Sequence, residues 1–113
     1  MTALKSFGNG YRALVIGASG ALGQAFCDAL EADPGCALVT RLSRNSAPPL
    51  DLEDAASIPR AAEAVAQHAP YHLIIVSSGL LHRPGIRPEK SLSALDADAL
   101  QAVFQVNTLG PAL

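Results

Sequence analysis

Three apolar runs predict three β-strands, at residues 13–16, 36–42 and 72–77. The first run is apolar on both faces and closes at Gly17, a pattern typical of a strand buried in a parallel sheet. Between the runs, apolar residues recur at three- and four-residue spacing, which favours helices. The chain therefore alternates strands with helices, and this order predicts an α/β fold.

The first helix is predicted directly after the first strand. It ends before the Asp-Pro-Gly sequence at residues 33–35, because proline and glycine stop a helix. The helix prediction depends on five apolar residues that share one face, namely Leu22, Ala25, Phe26, Ala29 and Leu30.

Two further helices are predicted. One covers residues 55–68, with Pro59 in its first turn, where proline is tolerated. The other begins near Asp96, and Ser93 opens an S-x-x-D capping pattern ahead of it. This last helix continues with Leu100, Val103, Phe104 and Asn107 at helical spacing.

The link between the second strand and Asp51 is short. Only eight residues, 43–50, form it, whereas a crossover to a parallel neighbour needs about a dozen or more. We therefore expect residues 49–52 to make a short extended pass and not a paired strand. The predicted architecture is a Rossmann-like, doubly wound parallel sheet over residues 11–113, preceded by a tail at residues 1–10.

Composition narrows the function classes. The 113 residues suffice for about one small domain, and 50% hydrophobic with 16% charged residues indicates a packed core. A formal net charge of −2 predicts neither a nucleic-acid nor an anionic-membrane partner, and no apolar run approaches the roughly 20 residues that span a bilayer. Residues 1–10 contain no signal-peptide core, and two cysteines make no metal or disulfide framework, so we expect a cytoplasmic protein.

Several polar residues are interpreted without a catalytic role. Ser19 and Ser77 do not stand in a G-x-S-x-G sequence, so hydrolase chemistry is not predicted. Arg83 and Arg87, within the predicted loop at residues 80–91, are expected to be solvated charges. Cys27 and Cys36 are expected to be small core residues, and no metal-ligand spacing links the histidines His68, His72 and His82.

A glycine-rich turn follows the first strand. The G-x-x-G-x-x-G sequence comprises Gly17, Gly20 and Gly23, and it leads from a buried strand into an amphipathic helix. Glycines let the backbone approach a pyrophosphate closely, while the helix N-terminus presents N–H groups and the positive end of its dipole. The turn therefore predicts a site for the phosphates of a nucleotide.

The glycine turn and three later motifs together resemble the short-chain dehydrogenase/reductase family of Rossmann-fold oxidoreductases. The resemblance covers residues 13–113. It implies that Gly17, Ser19, Gly20, Leu22 and Gly23 form the cofactor loop. Asp51 and Leu52 resemble the family's pair that contacts adenine. Residues 76–79 (Val-Ser-Ser-Gly) stand where the family has Asn-Asn-Ala-Gly, which implies Ser77, Ser78 and Gly79 as site residues. Residues 106–110 (Val-Asn-Thr-Leu-Gly) resemble the family's asparagine motif, which implies Asn107 as a catalytic residue.

The resemblance further implies a nicotinamide dinucleotide as cofactor, a small carbonyl or alcohol substrate, and a homo-oligomer. In the family, the main-chain carbonyl of the matching asparagine holds a water in a proton relay. Pro111 lies four residues after Asn107 and has no N–H to donate, so in an α-helix the Asn107 carbonyl would be free for such a water.

The residues after the second strand predict NADP in preference to NAD. An acidic residue there accepts from the ribose 2′-hydroxyl, whereas an arginine pairs with a 2′-phosphate. Here the strand ends in Thr-Arg-Leu-Ser-Arg at residues 40–44, with no carboxylate before Asp51. Arg44 is expected to lie closer to the ribose than Arg41, and Ser43 to add a hydroxyl contact.

The family's catalytic pair is a tyrosine followed four residues later by a lysine. Val15 stands four residues after Tyr11, and Ile75 stands four residues after Tyr71, so neither tyrosine qualifies. We therefore expect the chain to be the N-terminal, cofactor-binding half of a longer reductase, with its doubly wound sheet incomplete. A non-catalytic nucleotide-binding or regulatory module and a member of the extended, epimerase-like branch remain alternatives.

Overall fold

The computed structural model describes residues 4–80 and 83–113. Its sheet contains three parallel strands, β1 (Tyr11–Ile16), β2 (Cys36–Leu42) and β3 (Leu73–Val76), in the order β2-β1-β3. Ala13 of the central strand pairs with Val39 of β2 and Leu73 of β3. The three predicted strands are confirmed, although β1 begins two residues earlier and β3 is one residue shorter at each end.

Helices connect the strands. After β1 comes α1 (Ala21–Glu31), and after β2 comes α2 (Ser57–Ala66), which is shorter than predicted at both ends but keeps Pro59 in its first turn. Residues 49–52 form no strand, as expected from the short link, but Leu52 lies in a turn and not in an extended segment. The C-terminal helical segment consists of α3 (Ala97–Phe104), a π-helical turn (Gln105–Leu109) and α4 (Gly110–Ala112).

The sheet buries apolar residues on both faces. One face packs Ala13 and Val15 of β1 against α1, and the other packs Leu14 of β1 against α2. Because neighbouring strand residues point to opposite faces, the continuous apolar run in β1 is explained by burial on both sides. The doubly wound, Rossmann-like α/β architecture is therefore confirmed.

Of the five apolar residues predicted to share one face of α1, only Leu30 is buried, and the other four are exposed. Leu22 is 61% exposed and Phe26 is 37% exposed, while the helix buries Gly23, Cys27 and Leu30. These three residues also follow four- and three-residue spacing, but two of them are small. The spacing of large apolar side chains does not predict the buried side of a helix that packs through small residues.

The predicted cap of the last helix is also wrong. Asp96 itself is the N-cap of α3, and its carboxylate accepts a hydrogen bond from the Ala99 N–H at 3.0 Å. Ser93 lies instead in a short 3₁₀ turn, Leu92–Ala94. An aspartate accepts from the helix N–H groups as well as a serine does, so the capping pattern begins three residues later.

Tyr11 and Asp33 form a buried polar pair at the amino end of the sheet. The Tyr11 hydroxyl donates to Asp33 Oδ2 at 2.6 Å. The Asp33 carboxylate also accepts from the Leu4 N–H at 2.9 Å and the Gly35 N–H at 2.8 Å. The pKa of Asp33 is lowered, first by the Leu4 bond and then by the Tyr11 bond. Leu4, assigned to a tail by the sequence, is thus attached to the domain, while residues 1–3 lie outside the described part.

Replacing Asp33 with asparagine is expected to destabilise the protein in a pH-dependent way. The amide NH₂ cannot accept a hydrogen bond, so one of the three donors loses its partner. Because the folded-state pKa of Asp33 is lowered, its contribution is complete above the unfolded pKa of about 3.9 and is lost as the pH falls through the folded pKa.

The measurement is denaturant unfolding followed by circular dichroism at several pH values from 7 to 3. The gap in unfolding free energy between wild type and Asp33→Asn should be largest near neutral pH and should narrow below about pH 4. Asp28→Asn, on the exposed side of α1, is the matched control and should leave stability nearly unchanged. A gap that stays constant across the range would contradict the role of the Asp33 carboxylate.

Candidate functional site

A cleft of about 300 Å³ opens where the carboxyl ends of the three parallel strands meet. The chain passes from β1 to β2 on one side and later returns to β3 on the other, so this edge is the switch point of the topology. Open α/β sheets bind their ligands at such points. The predicted cofactor-binding residues that line the cleft are Gly17, Ser19, Gly20, Ser43, Arg44, Asp51, Leu52, Ser77, Ser78 and Gly79; Leu22 and Gly23 do not line it.

Gly17 turns the chain away from β1 with a φ of +84°, a conformation that costs residues with a side chain about 1–2 kcal/mol. A Cβ at this position would also lie 2.6 Å from the Ser78 nitrogen. The Gly17 N–H donates to the Leu42 carbonyl at 2.9 Å, and the Ser77 hydroxyl lies 3.2 Å from the Gly17 carbonyl oxygen. The ends of β2 and β3 therefore hold the glycine turn on both sides.

Helix α1 packs onto the same turn through Gly23. A Cβ at position 23 would lie 2.0 Å from the Gly17 carbonyl oxygen, so only glycine permits this approach. Gly20 differs, because its Cβ would meet only the Gly17 oxygen, at 3.7 Å. Gly23 thus has a packing role, whereas Gly20 borders open space in the cleft.

Two features of the cleft fit an anionic ligand. Gly20 is the N-cap of α1 and offers no side chain to the first N–H groups of the helix, which attract anions. The Ser78 hydroxyl is buried beside the turn and has no hydrogen-bond partner among the described residues. A buried hydroxyl of this kind normally binds water or a ligand. Both features fit the phosphates and hydroxyls of a dinucleotide.

Arg44 lies directly after β2 and lines the cleft. Within the described chain, its guanidinium has no carboxylate at salt-bridge distance. Arg41 of β2 differs, because it forms an ion pair with Glu31 of α1. The charge of Arg44 is therefore the one that can reach an anion in the cleft from this strand.

Serine hydroxyls hold the loop that follows β2. The Ser43 Oγ accepts from the Asn45 N–H at 3.1 Å, and the Ser46 Oγ accepts from the Ser43 N–H at 3.0 Å. The Leu50 N–H then donates to the Ser43 carbonyl at 2.8 Å and closes the loop. The short link thereby brings Leu50, which is buried, back to the sheet.

Asp51 and Leu52 are fixed by different contacts. The Asp51 N–H donates to the Ser57 Oγ at 2.9 Å, and the Ser57 hydroxyl donates to the Asp51 carbonyl at 2.8 Å. Leu52 is buried against α4, where a Cβ on Gly110 would lie 2.6 Å from the Leu52 Cβ. The backbone of Asp51 is therefore held beside the cleft by Ser57. Leu52 packs the cleft wall against the C-terminal helical segment.

Asn107 lies outside the cleft lining and anchors the chain after β3. Its Oδ1 accepts from the Leu80 N–H at 2.7 Å, and its Nδ2 donates to the Leu80 carbonyl at 2.8 Å. Leu80 itself lines the cleft. The Asn107 side chain therefore positions one wall of the cleft.

The helical register around Asn107 differs from the α-helix assumed from the sequence. In the π-helical turn, the Gly110 N–H donates to the Gln105 carbonyl, five residues earlier. The residue five positions before Pro111 is Val106, which lines the cleft. Pro111 has no N–H, so it leaves one carbonyl without a helical donor. In an α-helix this is the carbonyl of Asn107, and in a π-helix it is the carbonyl of Val106.

Arg83 is not the solvated charge that the sequence suggested. Its guanidinium forms two contacts with the Glu53 carboxylate, at 2.7 and 2.8 Å, and both residues line the cleft. No motif marks this pair, because the partners lie thirty residues apart. Arg87 has no contact that the structure assigns, and His82 lies outside the described residues.

Cys27 and His72 make contacts within the fold and do not line the cleft. Cys27 is buried, and burial raises the pKa of its thiol, as expected for a core residue. The His72 Nδ1 accepts a hydrogen bond from the Arg12 N–H at 3.0 Å. No group of metal-ligating side chains is close enough to hold an ion within residues 4–80 and 83–113. No described helix is long and apolar enough to span a membrane.

The fold is similar to two solved structures. NADPH-bound carbonyl reductase from chicken fatty liver superposes with a TM-score of 0.74 at 20% identity, over 92% of this chain and 45% of that chain. The protein lin1944 from Listeria innocua gives a TM-score of 0.69 at 23% identity, over 90% and 46%. The chain thus spans less than half the length of either structure.

No protein-family model and no curated protein matches the sequence. The structural similarities confirm the Rossmann-like fold, which corresponds to less than half of each of these longer chains.

The contrast between Gly23 and Gly20 predicts that the same substitution has a large effect at one position and a small effect at the other. Alanine normally stabilises a helix relative to glycine, but Gly23→Ala forces a methyl group onto the Gly17 oxygen and should cost about 1–3 kcal/mol of unfolding free energy. Gly20→Ala, the control, places alanine at the N-cap without a clash and should cost less than about 1 kcal/mol. Denaturant unfolding measures both, and equal effects of the two variants would contradict the packing role of Gly23.

Proposed function

We propose that this chain is the cofactor-binding portion of an NADP-dependent short-chain dehydrogenase/reductase. The complete protein would transfer a hydride between the nicotinamide and a small carbonyl or alcohol substrate. The observation that carries the proposal is the cleft at the switch point, where a glycine turn, a helix N-terminus and Arg44 meet. Similarity of the fold to an NADPH-bound carbonyl reductase supports it.

Each part of the dinucleotide has a proposed partner. The glycine turn and the first N–H groups of α1 bind the pyrophosphate, and the Ser78 hydroxyl gains the hydrogen bond that it lacks in the described chain. Arg44 and Ser43 bind the 2′-phosphate, while Asp51 and Leu52 border the adenine. Leu22 and Gly23 act indirectly, through the helix that presents these N–H groups.

The cytoplasmic location and the homo-oligomeric state expected from the sequence stay predictions. The alternative of a non-catalytic nucleotide-binding module is distinguished by the coding sequence beyond Leu113. A tyrosine followed four residues later by a lysine supports the reductase, because a neighbouring cation tunes the phenol for proton transfer. Absence of that pair supports the module.

Arg44→Ala is expected to weaken NADPH binding and to leave NADH binding unchanged. A charge-assisted hydrogen bond to a phosphate contributes about 1.5–3 kcal/mol, which corresponds to roughly 10- to 150-fold in affinity. Calorimetric titration of both coenzymes measures the effect. Arg41→Ala is the matched control, because that guanidinium is paired with Glu31 and should not contact the ligand.

Equal affinity of the unmodified protein for the two coenzymes would contradict the NADP preference. Loss of NADPH affinity in Arg41→Ala and not in Arg44→Ala would show that the wrong arginine was assigned.

Asn107 is proposed to act in catalysis through its position between the cleft wall and the π-helical turn. Its main-chain carbonyl would hold a water that relays protons, and its side chain keeps Leu80 in place. Asn107→Ala keeps the main-chain carbonyl but removes both side-chain hydrogen bonds to Leu80, so the carbonyl would lose the contacts that hold it in position. Turnover of the complete protein should fall by about 10²-fold, the smaller end of what positioned proton transfer provides. NADPH affinity should fall by a smaller factor than turnover, because Asn107 affects the cleft only through Leu80. Turnover equal to wild type would contradict the role of the Asn107 side chain in positioning the relay.

A further inference from the structure

The ion pair between Arg83 and Glu53 joins two rims of the cleft. Glu53 lies in the turn between β2 and α2, and Arg83 lies in the chain after β3. The ion pair is bidentate, with Arg83 Nη1 2.8 Å from Glu53 Oε2 and Arg83 Nη2 2.7 Å from Glu53 Oε1. Bidentate geometry fixes the relative orientation of the guanidinium and the carboxylate as well as the distance between them.

Each partner is held in position by its own backbone. Arg83 and Ile86 exchange two hydrogen bonds of 2.8 Å in a tight turn, which Gly85 permits with a φ of +84°. Ile86 is buried and attaches this turn to the protein. On the opposite rim, the Glu53 N–H donates to the Asp51 Oδ1 at 3.0 Å. The two side chains therefore meet from preset positions and lose less freedom than flexible surface partners do.

We infer that the Arg83–Glu53 pair is a clamp that holds the two rims of the cleft together and slows the exchange of the bound ligand. The inference rests on the proposed function for the identity of that ligand, NADPH. Its geometric basis is independent of the ligand, because the pair joins residues thirty positions apart that line one cleft.

A direct ligand contact by Arg83 predicts a different result. If Arg83 bound a ligand phosphate, Glu53 would compete for the guanidinium, and removing Glu53 would tighten binding. If the pair is a clamp, removing either partner opens the same rim. The two single variants therefore change dissociation in the same direction for a clamp and in opposite directions for a direct contact.

The first experiment measures NADPH dissociation by stopped-flow fluorescence in wild type, Glu53→Gln and Arg83→Gln. We expect both variants to release NADPH about two- to fivefold faster, the effect that a partly exposed ion pair supports. The double variant Glu53→Arg with Arg83→Glu should restore the slower rate. Arg41→Gln, which breaks an ion pair outside the cleft, is the matched control and should leave the rate unchanged.

Unchanged rates in both variants would overturn the clamp, as would slower release in Glu53→Gln with faster release in Arg83→Gln. Failure of wild type to bind NADPH would overturn the proposed function, and a second experiment then decides the clamp without ligand. Amide hydrogen exchange over residues 83–90 should be faster in Glu53→Gln than in wild type or Arg41→Gln. Equal exchange in the three proteins would overturn the clamp whatever the ligand is.

Discussion

The close approach of the Gly17 carbonyl to helix α1 is the constraint on which the rest of the site depends. Gly23 lets the helix reach this carbonyl, and Gly17 lets the backbone turn beside Ser78. Because Leu42 and Ser77 bond to the same turn, all three strands end against one short segment. The cleft therefore lies beside the glycine turn, where Gly17 and Gly20 have no side chains to fill the space.

The short link after β2 determines what surrounds that turn. It closes through the Ser43 carbonyl and returns Leu50 to the sheet, so the chain passes the cleft again at Asp51. The next residue, Leu52, is buried against Gly110 of the C-terminal segment, and the Gln105 side chain donates to its carbonyl at 2.9 Å. A link too short for a helix thus connects the glycine turn with helices distant in sequence.

The strands and the cleft were predictable because each depends on a local pattern. The apolar run of β1 and the spacing of its glycines specify a buried strand and a turn without reference to the rest of the chain. The buried side of α1 was not predictable from hydrophobic spacing, since it depends on how closely Gly23 approaches the turn. Likewise, the Tyr11–Asp33 pair joins residues 22 positions apart, and no local pattern marked the π-helical turn at Gln105–Leu109.

The arginines show how tertiary contacts decide which charges remain for a ligand. Arg12 lies at the amino end of β1, where it donates to the carbonyls of His68 and Ala69 at 2.7 and 3.2 Å. Arg41 is neutralised by its ion pair on the outer side of β2, and Arg83 by an ion pair at the cleft rim. In the described chain, Arg44 lines the same cleft without such a partner. A chain with net negative charge thereby presents a positive group where the strands end. The position of Arg44 directly after β2 was visible in the sequence, whereas the ion pairs of Arg41 and Arg83 were not.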